Sequence, residues 1–132
     1  MANRIQAINT YRPRIDLGLI VAKAELLRYI ADRTGLNEGS LDIVSREQRD
    51  AVIFFNRAGR SVKIEGLGVY TPSIGLDGIF NVSHRADVAL KNGLNTPDTF
   101  VGTILNRDNI GKTTAELVAM WNAEHPGDPV SG

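Results

Sequence analysis

The sequence has no cysteine. This excludes disulfide staples and thiolate metal sites, and it is compatible with a reducing compartment. Histidine is scarce. His84 and His125 lie far apart, and neither sits in a ligand spacing such as H-x-x-x-H. No motif suggests a Ser/His/Asp or Cys/His arrangement. The carboxylates mostly stand near basic residues, as in Arg46-Glu47 and Arg49-Asp50, and surface solvation with helical i,i+4 pairing accounts for them. The expectation is a protein that is not an enzyme, with no cofactor, metal or small-molecule substrate. Long hydrophobic runs are also missing. The most apolar early stretch, 17–21, is far too short to span a bilayer, and no signal-type apolar segment follows the first residues. No membrane partner is expected.

An excess of one charge sign is missing too. Fifteen basic residues face fifteen acidic ones, which counts against a strong pull of the whole molecule on polyanions. The distribution is uneven, however. Residues 1–63 hold eleven Lys/Arg and seven Asp/Glu, a net of +4, while residues 64–132 hold four and eight, a net of −4. A basic face arises only through folding. At 132 residues and 42% hydrophobic, the chain is long enough to bury a core without staples.

Along the chain, Pro13 argues against helix near the start, so residues 1–19 are expected as an extended arm or edge strand. From Ile20 the period becomes helical. Ile20, Ala24, Leu27, Ala31 and Thr34 recur at spacings of three and four, and Gly35 is placed to stop the helix. Asn37 is a candidate N-cap for a second helix running to Ala58, with Leu41, Val44, Gln48, Val52 and Phe55 on one face. The short link makes these two an αα-hairpin. After Gly59 the period changes to two. Strand-like runs lie around 62–64, 69–70 and 79–83, with Pro72 suggesting an edge or bulge. A short helix over 86–92, a loop over 95–111 and a last helix capped by Thr113 and Glu116 follow. The last helix has an apolar stripe of Leu117, Met120 and Trp121, expected to pack on its own core, with covering of the open sheet face or binding of a partner as the alternatives. The class is α+β.

Four segments, in order, resemble the HU/IHF family of histone-like bacterial DNA-binding proteins. Ala24-Glu25-Leu26-Leu27 through Thr34-Gly35-Leu36 is similar to the family's first helix and turn. Leu36 to Gly59 has the length of its second helix. Val62-Lys63-Ile64-Glu65-Gly66-Leu67-Gly68-Val69-Tyr70 resembles its V-x-[LI]-x-G-[FL]-G-x-[FY] signature. Ala89-Leu90-Lys91 resembles the opening of its third helix. The resemblance implies an HU-like fold over residues 20–95: an N-terminal helical hairpin, a three-stranded antiparallel sheet and a short helix. Residues 1–19 are then an arm, and 96–132 an extension with one extra helix. It also implies a cytoplasmic, nucleoid-associated homodimer that binds DNA, with Phe54 and Phe55 in the base shared by two chains. Gly66 and Gly68 read as a bend in the strand rather than a phosphate loop, because a strand follows a strand there.

The chain departs from the family at the DNA-bending arm. The corresponding segment, 73–79, has no basic residue and no proline, and is roughly twenty residues shorter than the family's arm. Wedging into the minor groove by that arm is therefore not expected. The candidate DNA-binding residues are Arg85 and Lys91 by position, then Lys63 and Arg60 near the first strand, and Arg4, Arg12 and Arg14 as a basic N-terminal stretch. Such cations bind phosphate and position a protein without reading sequence, so weak, salt-sensitive, sequence-independent binding is expected. The alternative is an HU-fold interaction module that has lost DNA binding.

Overall fold

A computed structural model describes residues 2–130. They form a mixed α+β structure of five α-helices and two antiparallel sheets. The chain divides into two compact units, Ile20–Phe100 and a discontinuous one made of Met1–Leu19 with Val101–Gly132. Among the described residues no helix is long and apolar enough to cross a membrane.

In the Ile20–Phe100 unit, helix α2 (Lys23–Thr34) begins three residues later than the periodicity suggests, so Ile20 stays outside it, 93% exposed. Gly35 ends it at φ 74°, donating its N–H to the Ala31 carbonyl. That left-handed conformation suits glycine at a helix C-terminus. Two residues later Asn37 opens helix α3 (Glu38–Arg57), its Oδ1 accepting from Gly39 N at 2.7 Å and Ser40 N at 3.3 Å. The hairpin is tied by Asp42, which pairs with Lys23 of α2 at 2.6 Å and with Arg46 one turn along α3. Bonds from Lys23 and Arg46 hold the Asp42 carboxyl below its ordinary range. A carboxylate with a lowered folded-state pKa stabilises above its unfolded pKa of about 4, and that contribution is lost as pH falls through the lower folded value. Asp42→Asn should therefore lower the melting temperature at neutral pH and flatten its fall below about pH 4. Melts followed by circular dichroism over that range check this, and a parallel fall in both proteins would count against it.

Strands β2 (Val62–Ile64), β3 (Gly68–Ile74) and β4 (Phe80–Ala86) make an antiparallel sheet in the order β2-β3-β4. Pro72 sits in the central strand, which an edge reading does not anticipate. The partner β2 reaches only Gly68 to Tyr70, so beyond Tyr70 strand β3 is locally an edge. The missing N–H of Pro72 then breaks no β2 ladder bond. The β3–β4 turn is closed by Gly78 N to Gly75 O at 3.0 Å and Ile79 N to Asp77 Oδ1 at 3.0 Å. Helix α4 (Val88–Leu94) starts later than the sequence reading because Asp87 caps it, accepting from Ala89 N at 2.8 Å. Leu27 is the one buried hydrophobic residue described in this unit, and α3 has none.

The other unit corrects the expected N-terminal arm. Residues 4–11 are helix α1 (Arg4–Tyr11), and β1 (Arg14–Asp16) pairs with β5 (Thr103–Leu105) from within the expected 95–111 loop. Asn3 caps α1 by accepting from Gln6 N at 2.7 Å, and Ala7 is buried against Trp121 of helix α5 (Thr114–Glu124). Pro13 acts only on its predecessor: Arg12 turns extended at φ −64°, ψ 148° and ends the helix. Two asparagines hold that corner. Asn106 Nδ2 donates to the carbonyls of Thr10 (2.9 Å) and Arg12 (3.0 Å), and Asn109 Nδ2 donates to that of Tyr11 (2.6 Å). Helix α5 packs on α1 around Trp121, Ala2 and Ala7.

Candidate nucleic-acid interface

Side chains alternate across a strand, so the register decides which residues share a face. Val69 lies opposite Lys63 on one side and Arg85 on the other, which puts these three on one face of the sheet. The rows beyond add hydroxyls and an amide to the same face. Thr71 is opposite Ser83, and Ser73 is opposite Asn81. Ser61 Oγ donates to Thr71 Oγ1 at 3.1 Å, and Ser83 Oγ approaches the Thr71 carbonyl at 3.4 Å. The next row, Val62, Tyr70 and His84, points to the opposite face, where the Tyr70 and His84 rings lie 4.6 Å apart. That second face lies toward α3: Val52 and Ile53 line clefts with Ile64 and Tyr70, and with Pro72, Phe80 and Val82.

The sheet thus has an apolar, aromatic side toward the helix and a polar side away from it. Lys63 and Arg85 are both exposed, and neither side chain makes a hydrogen bond or ion pair among the described residues. Two strand spacings separate them by about 10 Å at the backbone. The described polar face carries no aromatic ring, so it has cations and hydroxyls for phosphate oxygens and no platform for stacking bases.

The other sequence candidates are placed differently. Arg60 follows α3, and its guanidinium lies 5.3 Å from the Phe55 ring centroid. Lys91 is exposed in the last turn of α4. Arg4, Arg12 and Arg14 belong to the other unit. Arg4 Nη2 donates to Thr114 Oγ1 at 3.2 Å, Arg12 caps α1, and Arg14 is opposite Leu105 in β1. Arg12 and Arg14 therefore lie on a helix–strand corner held by asparagines, not on a free arm that could enter a groove. The structure unites Lys63 and Arg85, and it adds Ser61, Thr71, Ser73, Asn81 and Ser83, which the charge-led reading passed over. Their signal was present: Ser61-Val62-Lys63-Ile64 and Asn81-Val82-Ser83 alternate in polarity with period two. No protein-family model matches the chain, and no curated protein matches it.

Proposed function

We propose that Ile20–Phe100 is an HU-like body that binds nucleic-acid phosphates without sequence preference, as a homodimer, through the polar face of its sheet. Lys63 and Arg85 form the centre of that surface, and Arg60 and Lys91 extend it within the same unit. The observation that carries the reading is the register that sets two unpaired cations across Val69 among hydroxyls, with the rings turned away.

The homodimer is supported by area. The chain exposes 10647 Å². Two separate globules with the residues of the two units would expose about 8,200 Å². The excess is about 2,400 Å² per chain, or about 4,800 Å² per pair, which lies within the range of obligate homodimers. Much of it is apolar side chain on α3 and the sheet: Phe54 is 68% exposed and Phe80 77%.

Titration of duplex DNA at several salt concentrations tests the function. Each phosphate contact contributes about −0.9 to the slope of log affinity against log salt. In a dimer, Lys63 and Arg85 should account for about −4 of that slope. Lys63→Glu with Arg85→Glu should weaken binding at least a hundredfold at low salt and remove about 4 from that slope in magnitude. Wild-type protein that ignores duplex, nicked and single-stranded DNA at low salt would end the reading.

A further inference from the structure

We infer that the polar face of the β2-β3-β4 sheet prefers double-stranded RNA to duplex DNA, its hydroxyl and amide rows meeting ribose 2′-hydroxyls while Lys63 and Arg85 hold phosphates. The inference rests on the phosphate-binding reading above and names the nucleic acid which that face favours.

Shape is the first argument. Three strands at about 4.8 Å each make a layer about 14 Å across. The major groove of B-form DNA is about 12 Å wide and its minor groove about 6 Å. The sheet can rest on the phosphate rims of such a duplex, where its cations act, but it cannot descend between them. The turn that joins β3 to β4 spans only residues 75–79, so no long arm reaches in on its behalf. The minor groove of A-form RNA is wide and shallow and displays its 2′-hydroxyls. A broad sheet face meets them without entering a narrow groove.

Hydrogen-bonding capacity is the second. About 7 Å along the strands from the row of Lys63, Val69 and Arg85 comes the row of Ser61, Thr71 and Ser83, and beyond it Ser73 with Asn81. Ser61, Asn81 and Ser83 are exposed and Thr71 is half-buried. Thr71 Oγ1 accepts from Ser61 Oγ at 3.1 Å, and its own proton is unused among the described residues. Asn81 Oδ1 accepts from Val82 N at 2.8 Å, which leaves Nδ2 as a donor without an acceptor there. Ser83 Oγ approaches the Thr71 carbonyl at 3.4 Å and keeps its lone pairs. The face therefore offers donors and acceptors side by side. Phosphate and deoxyribose oxygens only accept, so a DNA backbone leaves the acceptors unmatched. A ribose 2′-hydroxyl both donates and accepts.

Fluorescence anisotropy of the full chain with three duplexes of one sequence tests this: RNA, DNA and 2′-O-methyl RNA, which keeps the A form and loses the donor. RNA should bind about tenfold more tightly than DNA, and 2′-O-methylation should remove most of that gain. Thr71→Val with Ser83→Ala, checked for folding by circular dichroism, should bring RNA down toward the DNA affinity. The salt slope should stay unchanged, because both cations remain. Equal wild-type affinity for RNA and DNA overturns the preference and leaves the phosphate reading intact. A preference that survives both 2′-O-methylation and the double variant overturns the role of the hydroxyl rows. No binding to any of the three duplexes at low salt sinks the phosphate reading itself.

Discussion

Gly68→Ala should destabilise the Ile20–Phe100 unit by about 3–5 kcal/mol. The position is demanding in two independent ways. Its φ is 146°, in the region that L side chains rarely adopt. A Cβ there would also stand 2.2 Å from the Arg85 carbonyl oxygen and 2.6 Å from His84 Nε2. The histidine ring can swing, but the carbonyl cannot, because it belongs to the strand paired with β3. Gly68 is matched to Ile64 on one side and Ala86 on the other, so relief requires opening the sheet. Gly59→Ala is the comparison. Gly59 also has a positive φ, 76°, but nothing lies within 4 Å of the added carbon, so only the backbone strain of about 1 kcal/mol applies. Urea denaturation separates the two cases, and a Gly68→Ala loss no larger than that of Gly59→Ala would show that the close approach has been misjudged. Because Lys63, Val69 and Arg85 occupy the adjacent row, the same variant should also weaken the proposed phosphate binding.

Gly68 illustrates what the sequence makes legible. The Gly66-Leu67-Gly68 run reads as a backbone device within a strand pair, and the structure gives the reason at Gly68, where the neighbouring backbone fills the space of a Cβ. The hairpin of α2 and α3 is legible for a similar reason. Gly35 and Asn37 are local signals whose physics is complete within a few residues. Helix α1 was obscured by giving Pro13 influence over the whole segment, although Asn3 followed by Gln6 carries the start signal for a helix. The β1–β5 ribbon has no local signature. It joins three residues near one end of the sequence to three far along it, and the asparagines that follow β5 bond to the carbonyls of the corner before β1. The candidate site was half visible. Alternating polarity specifies the face of each strand, but only the register brings Lys63 and Arg85 together, while Arg4, Arg12 and Arg14 fall in a different unit. The apolar stripe of α3 was visible as well, but within the chain the helix buries no residue.

Trp121→Ala should unfold the unit formed by the two ends of the chain. Trp121 is 6% exposed, packs with Ala2 and Ala7, and stacks on His125 at 3.8 Å with the rings 10° from parallel. Its Nε1 donates to the Asp128 carbonyl at 2.8 Å, which holds the residues after α5 against the helix. Truncation leaves a large cavity and removes that bond, a loss of about 3–5 kcal/mol. A unit of about 50 residues has a core that rarely supplies more than about 3–5 kcal/mol in total, so the loss is close to everything it has. Hydrogen exchange should then show protection vanishing from Arg4–Tyr11 and Thr114–Glu124 while it persists in β3 and β4. Trp121→Phe keeps most of the volume and the stacking on His125, and should retain both helices. The sole tryptophan is a reporter of its own unit, so the wild-type fluorescence transition should follow the exchange of α1 and α5. Equal loss of protection in both units after Trp121→Ala would mean that the chain unfolds as one cooperative body, because a core built only from its two ends could not otherwise bring down the sheet.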